Sequence, residues 1–235
     1  ICGAMLLPGD ERLYRILEKQ KKEYTLTICG RDGKDQTYQI GSLIELIWGI
    51  ENPAAIINKI ADKNIHIITL TITEGGYNIA KATNEFMLDN ENIKYDLTHP
   101  QSPKTTFGFV AEGLRKRKAV GNGPITILSC DNLQHNGNTA RKAFLSFFQA
   151  QDPELAEWAT VNITFPNSMV DRITPSTQPE DIIRLNTQNG TQDGAPVYCE
   201  DFIQWVVEDK FIAGRPAWEK VGVEFTQDVT TYENM

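Results

Sequence analysis

Apolar residues recur with two different periods along the first sixty positions, which predicts strands that alternate with helices. Residues 1–7 form a short apolar run closed by proline and glycine, as in a buried strand. A helix is predicted to open at Asp10, and residues 24–29 and 37–40 flank an Asp-Gly turn that indicates a β-hairpin. Pro53 is predicted to open a second helix. The predicted apolar faces of the two helices are Leu13, Ile16 and Leu17, and Ile56, Ile57 and Ile60.

The middle of the chain continues this alternation with longer elements. Residues 65–73 are rich in β-branched side chains without clean alternation, which indicates a strand covered on both faces. A helix is predicted over residues 104–119 and a buried strand over residues 125–128, and another helix follows. The predicted inner faces of these helices are Phe107, Val110, Ala111 and Leu114, and Ala140, Phe144, Phe147 and Phe148.

Beyond Pro153 the pattern loosens. Residues 161–165 and 197–199 are predicted to be strands, and the polar residues 175–193 between them are predicted to be a surface segment. Strands that alternate with helices over short connections predict a Rossmann-like, doubly wound α/β fold, with a mainly parallel sheet and helices on both faces. The chain has no internal repeat and no low-complexity linker, so residues 1–235 are expected to form one domain.

Composition and charge exclude several classes of protein. The 235 residues are 40% hydrophobic and 23% charged, with a mean hydropathy of −0.35 and a net charge of −8. The negative charge argues against nucleic acid or an anionic membrane as the partner. Apolar runs all fall short of the ~20 residues that cross a bilayer. The sequence therefore predicts a globular protein that uses neither partner.

Cysteine and histidine residues are scattered along the chain. The four cysteines include no C-x-x-C pair, and the three histidines lie far from one another. This spacing predicts reduced, buried thiols in a cytoplasmic protein, and it gives no local support for a metal site.

Polar residues and glycines directly follow four of the predicted strands. They lie in residues 7–10, 73–77, 129–136 and 166–171. Ligands of an open parallel sheet bind beyond the carboxyl ends of its strands, so these stretches are the candidate site.

The sequence leaves two interpretations open for each candidate residue. Asp10 either accepts hydrogen bonds from the ribose hydroxyls of a dinucleotide or caps the helix that follows it. Asn132 is either a turn residue or a donor to an oxygen that becomes negative during a reaction. Asp171 is either functional or part of a structural ion pair. Gly75 and Gly76 either form a simple turn or let the backbone approach a cofactor closely.

A glycine-rich phosphate loop of the form G-x-G-x-x-G is absent from the 235 residues. Either the fold is not a dinucleotide fold, or its first strand and loop lie upstream of Ile1. A methyltransferase-like fold that binds S-adenosylmethionine is an example of the first case. Natural chains start with methionine, whereas Ile1 lies inside an apolar segment, so we favour the second explanation.

A set of sequence blocks runs from end to end of the chain. The blocks are residues 1–3 (ICG), 6–10 (LLPGD), 69–77 (TLTITEGGY), 129–133 (SCDNL), 136–137 (NG), 165–175 (FPNSMVDRITP), 199–209 (CEDFIQWVVED), 214–219 (GRPAWE) and 232–233 (YE). Together and in this order, they resemble the mannitol dehydrogenase family of polyol-specific long-chain dehydrogenases. One block alone would be suggestive, but all of them in the family's order make the resemblance highly specific.

The resemblance implies a role for five residues. Asp10 matches the acid on the adenosine ribose, which implies that the cofactor is NAD rather than NADP. Asn132 matches an asparagine that binds at the cofactor and helps to stabilise the alkoxide or carbonyl oxygen in catalysis. Glu74 matches a residue on the cofactor side of the cleft, and Asp171 one on the substrate side. Glu233 matches a catalytic acid that assists proton exchange.

The family's catalytic base is a lysine in K-x₄-N-x₂-H, which this chain does not contain. The resemblance implies that the lysine lies just beyond Met235. It also implies that the phosphate loop, the first strand and a helical C-terminal domain are missing, so that residues 1–235 are a partial NAD-binding domain. We expect the fragment alone to be inactive.

The resemblance implies metal-independent hydride transfer between NAD(H) and a small-molecule polyol or ketose in the intact enzyme. Mannitol and fructose are the expected pair. The alternatives are a fructuronate or tagaturonate reductase of the same family and a non-catalytic nucleotide-binding fragment. The sequence leaves the oligomeric state open.

Overall fold

The computed structural model describes residues 1–233, which form two compact units. One unit comprises Ile1–Asn52 and Arg172–Ile203, and the other comprises Pro53–Asp171 and the segment from Gln204 onward. Because each unit is compact by itself, the organisation of residues 1–235 as one domain stays a prediction. No helix within residues 1–233 is long and apolar enough to span a membrane.

The strands and helices follow one another closely along the chain. The strands are β1 (Cys2–Met5), β2 (Tyr24–Cys29), β3 (Gln36–Ile40), β4 (Glu45–Trp48), β5 (Ile67–Leu70), β6 (Ile125–Ser129), β7 (Ile163–Thr164), β8 (Ser168–Asp171), β9 (Val197–Glu200), β10 (Gln204–Glu208) and β11 (Glu224–Thr226). The α-helices are α1 (Glu11–Lys19), α2 (Pro53–Ala61), α3 (Thr73–Gly76), α4 (Glu91–Thr98), α5 (Thr106–Ala119), α6 (Asn136–Gln151), α7 (Pro153–Asn162), α8 (Pro179–Asn189) and α9 (Thr230–Glu233). Short 3₁₀ helices cover Pro8–Asp10 and Trp218–Val221.

The first unit contains two small sheets. β1 pairs with β4 in parallel, and β2 lies between β3, its antiparallel hairpin partner, and β9, its parallel partner. Tyr14 of α1 stacks on Trp48 of β4, with ring centroids 5.5 Å apart. The buried Asp193 accepts hydrogen bonds from Gln20 and from the backbone of Thr25, which fixes the end of α1 against β2.

The second unit contains the parallel sheet β5-β6-β7 and a second sheet of order β11-β10-β8. In the second sheet β10 runs parallel to β11 and antiparallel to β8. Helices α2 and α5 pack closely because Gly113 carries no side chain, and a Cβ there would lie 2.6 Å from Ile60. Phe107 of α5 and Phe144 and Phe147 of α6 form a buried aromatic cluster beside them.

Most predicted elements are present with shifted ends, and the inner faces predicted for α2, α5 and α6 are buried. The face predicted for α1 is wrong at Leu13, which is exposed, because Tyr14 packs on Trp48 instead. The segment 175–193 is not wholly irregular, since its polar residues form the amphipathic helix α8 around the buried Leu185. Residues 168–171 follow a predicted strand but form β8, which pairs with β10.

Candidate functional site

The carboxylate of Asp131 joins the ends of β5 and β6. Asp131 lies two residues after β6, and its Oδ1 accepts the backbone N–H of Thr73 at 2.9 Å. Its Oδ2 accepts the backbone N–H of Ile72 at 3.1 Å and the hydroxyl of Tyr77 at 2.6 Å. One buried side chain therefore fixes the turn that follows the neighbouring parallel strand.

The backbone of that turn is strained. Thr73 has a φ of 63°, in the left-handed region that β-branched residues rarely occupy, so the surrounding contacts must hold it there. A Cβ at Gly76 would lie 2.9 Å from the Cβ of Ile72, so local packing requires a glycine at this position. No atom lies within 4 Å of the corresponding position at Gly75, which leaves that backbone open to close approach.

The pKa values of two groups beside Asp131 are raised. Tyr77 is fully buried, and its hydroxyl also lies 2.6 Å from Ser129 Oγ. Burial, and then the hydrogen bond to Asp131, raise the pKa of this phenol far above its usual value. Burial, and then the charge of Asp131, raise the pKa of the Cys130 thiol to about 12. Both groups are therefore protonated and neutral at physiological pH.

A buried asparagine fixes the N-terminus of α6 to β6 and β8. Asn136 Nδ2 donates to the carbonyl oxygens of Asp131 at 3.0 Å and Ser168 at 2.8 Å, and its Oδ1 accepts the Ser168 N–H at 2.8 Å. The Ser168 hydroxyl donates to the carbonyl oxygen of Ser129 at 2.6 Å. These bonds satisfy the buried polar groups where the strands end.

A second carboxylate supports the segment before β8. The buried Glu208 accepts the backbone N–H of Asn167 at 3.0 Å and its side-chain amide at 3.2 Å. Lys210 lies 2.8 Å from the same carboxylate. Asn167 Oδ1 in turn accepts the backbone N–H of Asn138 in the first turn of α6. Together these bonds fix the start of β8 and the first turn of α6.

Glu74 and Asn132 lie at the same edge of the parallel sheet. Glu74 follows β5, Asn132 follows β6, and Asp131 connects the two segments. Both side chains are exposed. Glu74 makes an ion pair with Lys81 at 3.0 Å, whereas Asn132 has no side-chain hydrogen bond to the rest of residues 1–233. An exposed amide donor and an exposed carboxylate thus stand beside a rigid, buried scaffold.

Glu233 approaches the same loop from the C-terminal side. Its side chain is only 5% exposed, and its Oε1 accepts the backbone N–H of His135 at 2.8 Å. Its Oε2 lies 3.5 Å from His135 Nδ1. His135 has a φ of 50°, so it bends the chain between Asn132 and α6. Glu233 therefore contacts His135, which lies three residues after Asn132 in the same loop.

Asp171 and Asp10 are in different surroundings. Asp171 ends β8 opposite Gln204, and its side chain is exposed with no ion-pair partner in the described part of the chain. The predicted structural ion pair is therefore not formed among residues 1–233. Asp10 belongs to the other unit, where its Oδ2 accepts the backbone N–H of Leu7 at 3.1 Å. It makes no side-chain bond to the first turn of α1, and its bond to Leu7 caps the 3₁₀ helix that runs into α1, so the capping alternative holds for that 3₁₀ helix only.

The buried residues that organise this edge carried no functional assignment from the sequence. Asp131, Tyr77 and Asn136 lie inside the matching sequence blocks, and a polar residue directly after an apolar strand was the available signal. The partners of such residues come from distant segments, which a sequence pattern does not reveal. Within residues 1–233 no group of three or more histidine, cysteine or acidic residues is arranged to bind a metal ion.

Comparison with known proteins agrees with this architecture. Residues 2–220 match the family model described as the mannitol dehydrogenase Rossmann domain. The chain is 45% identical over 232 residues to a polyol:NADP oxidoreductase of Gluconobacter oxydans, covering 97% of this chain and 48% of that protein. It is 40% identical over 238 residues to the D-mannonate oxidoreductase of Escherichia coli, covering 100% of this chain and 49% of that protein.

A solved structure gives the same result. The mannitol 2-dehydrogenase of Pseudomonas fluorescens, in its ternary complex with NAD and D-mannitol, superposes with a TM-score of 0.96 at 46% identity. The match covers 99% of this chain and 47% of that one, so the chain spans about half the length of its relatives. The Rossmann-like α/β fold is thereby confirmed, and the chain belongs to the mannitol dehydrogenase family.

Proposed function

We propose that the whole protein is an NAD-linked polyol dehydrogenase that interconverts mannitol and fructose without a metal ion. The observation that carries the cofactor assignment is Asp10, the acid that ends the short 3₁₀ helix after β1. One oxygen of its carboxylate accepts the Leu7 N–H, and the other has no hydrogen bond to residues 1–233. That oxygen fits a ribose hydroxyl and would repel the 2′-phosphate of NADP.

We propose that the turn after β5 also contacts the dinucleotide. Glu74 is exposed there, and the open space around Gly75 leaves room for a ligand against the backbone. NAD supplies the hydride acceptor when it is bound, and the protein supplies orientation and proton transfer. We assign Glu74 and Asp10 to cofactor binding and Asp171 to the substrate side.

Two residues of this chain are assigned to the chemistry. The exposed Asn132 amide donates a hydrogen bond to the substrate oxygen, where negative charge develops during hydride transfer. Glu233 moves the substrate proton toward solvent with the base, for which we propose the family's lysine outside residues 1–235. Replacing Asn132 with alanine should lower kcat by a factor on the order of 10²–10³, the usual cost of one such donor. A kcat within about twofold of wild type would contradict this role.

The substrate assignment has a competitor in the same family. The D-mannonate oxidoreductase relative points to sugar acids, and the polyol:NADP relative points to the other cofactor. We favour the polyol because of the similarity to the mannitol-bound structure. Assays of the whole protein with fructose and fructuronate, each with NADH and NADPH, test both choices. A higher kcat/KM with fructuronate would overturn the substrate, and one with NADPH would overturn the cofactor.

We further propose that the whole protein works in the cytoplasm and that residues 1–235 alone have no turnover. The relatives are about twice as long as this chain, and the chain matches only about half of their length. Measurable mannitol oxidation by the 235-residue chain would contradict the second statement.

A further inference from the structure

We propose that Asp131 is a positioning residue that holds the turn after β5 in the shape that receives the dinucleotide. This inference rests on the proposed function, because it assigns the ligand of the turn. Asp131 is buried, and both of its oxygens already accept hydrogen bonds from Ile72, Thr73 and Tyr77. It therefore acts through the turn and does not contact the ligand itself.

The conformation of the turn requires such a restraint. Thr73 has a positive φ that its β-branched side chain disfavours, and its N–H points to Asp131 Oδ1. Free backbone would relax to a negative φ, which would rotate the peptide that leads into Glu74. Glu74 and the open Gly75 follow at once, so relaxation of Thr73 would displace the residues that face the ligand.

The chain contains a matched control for this arrangement. Asp96 of α4 is also buried, and its Oδ1 accepts one backbone N–H, from Lys104 at 2.8 Å. Its Oδ2 accepts the backbone N–H of Thr105 at 2.8 Å and the Thr105 hydroxyl at 2.6 Å. The two carboxylates lie in the same unit, and each accepts two backbone N–H groups and one hydroxyl. Asp96, however, fixes the start of α5 rather than a turn after a strand.

Asp131→Asn and Asp96→Asn in the whole protein test the proposal. Each variant keeps one acceptor oxygen and loses the charge, so both should lower the denaturation midpoint to a similar extent. The dissociation constant for NAD should rise by about tenfold or more in Asp131→Asn and stay within about twofold of wild type in Asp96→Asn. Hydrogen exchange of the Ile72 and Thr73 amides should accelerate only in Asp131→Asn.

The outcomes separate this proposal from the proposed function. An unchanged affinity for NAD in Asp131→Asn, or an equal loss in Asp96→Asn, overturns the positioning role. If the wild-type protein does not bind NAD, the proposed cofactor is wrong. In that case unchanged exchange at Ile72 and Thr73 in Asp131→Asn overturns the claim that Asp131 holds the turn, whereas accelerated exchange supports it.

Discussion

Asp131 and Asp96 accept the same kinds of hydrogen bond but lie in different parts of the second unit. Each is a buried carboxylate that accepts two backbone N–H groups and one hydroxyl from a single segment, which lies more than fifty residues away along the chain for Asp131 and less than ten for Asp96. Around Asp96 the segment continues into α5, whose inner face lies in the aromatic core. Around Asp131 it continues into a strained turn with exposed residues at the ends of parallel strands. The role that we propose for Asp131 therefore rests on its position in the fold rather than on its hydrogen bonding, which Asp96 shares.

The largest expected difference between the two regions comes from added volume. A Cβ at Gly137 would overlap the backbone carbonyl of Pro166 and lie 2.7 Å from the Asn167 nitrogen, and a backbone moves only with its strand. A Cβ at Gly108 would overlap the Asp96 carboxylate and lie 2.8 Å from Pro103 Cβ, and these side-chain atoms yield more easily. Gly137→Ala should lower the free energy of unfolding by about 3 kcal/mol, and Gly108→Ala by about 2 kcal/mol.

Chemical denaturation of both variants measures this difference. Gly123→Ala is the control, because nothing lies within 4 Å of its added Cβ. If Gly108→Ala lowers the free energy of unfolding more than Gly137→Ala does, the backbone beside β8 adapts to added volume more easily than the surroundings of Asp96.

A smaller effect is expected when each carboxylate loses its hydroxyl donor. Tyr77→Phe and Thr105→Val keep the shape of the side chain and leave the two backbone donors in place. Loss of the bond to the carboxylate should lower the free energy of unfolding by about 1.5–2 kcal/mol, in the lower part of the range for a hydrogen bond to a charged group. Thr105→Val also removes the cap on the Gly108 N–H of α5, which adds to its loss. Thermal or urea denaturation measures both losses. Stability equal to wild type in Tyr77→Phe would mean that its hydroxyl contributes nothing to the Asp131 cluster.

The smallest expected difference between the two regions is in how their contribution to the free energy of unfolding depends on pH. Burial raises the pKa of Cys130 to about 12, whereas a thiol in the unfolded chain titrates near 8.5. The folded state therefore keeps this proton up to a higher pH than the unfolded chain does. The stability that the buried neutral thiol contributes is complete below about pH 8.5 and is lost as the pH rises toward 12. The donors around Asp96 are amides and a threonine hydroxyl, which do not titrate in this range.

Wild type and Cys130→Ala should be compared at about pH 7.5 and about pH 9.5. Between these values wild type should lose about 1 kcal/mol more of its free energy of unfolding than the variant does. An equal loss in both proteins would place the alkaline sensitivity at other groups, such as the buried Cys199.

The sequence predicted the elements whose periodicity comes from local chain geometry. The β2–β3 hairpin follows from its Asp-Gly turn, and α5 and α6 follow from apolar residues spaced by three and four. β8 and β10 were not predicted, because their pairing across distant segments decides their conformation. α8 was not predicted because a mostly polar helix buries a single apolar residue, Leu185, and gives a weak periodic signal.

By itself, the sequence determined the fold class, the family resemblance and the positions at strand ends where a ligand is expected. It named Asp10, Glu74, Asn132, Asp171 and Glu233 as site residues, and their roles stay predictions. Only the tertiary structure decided that Asp131 holds the turn containing Thr73, and that Glu233 contacts His135. The physical reason is that a buried carboxylate takes its role from its donors, which lie about sixty and one hundred residues away along the chain.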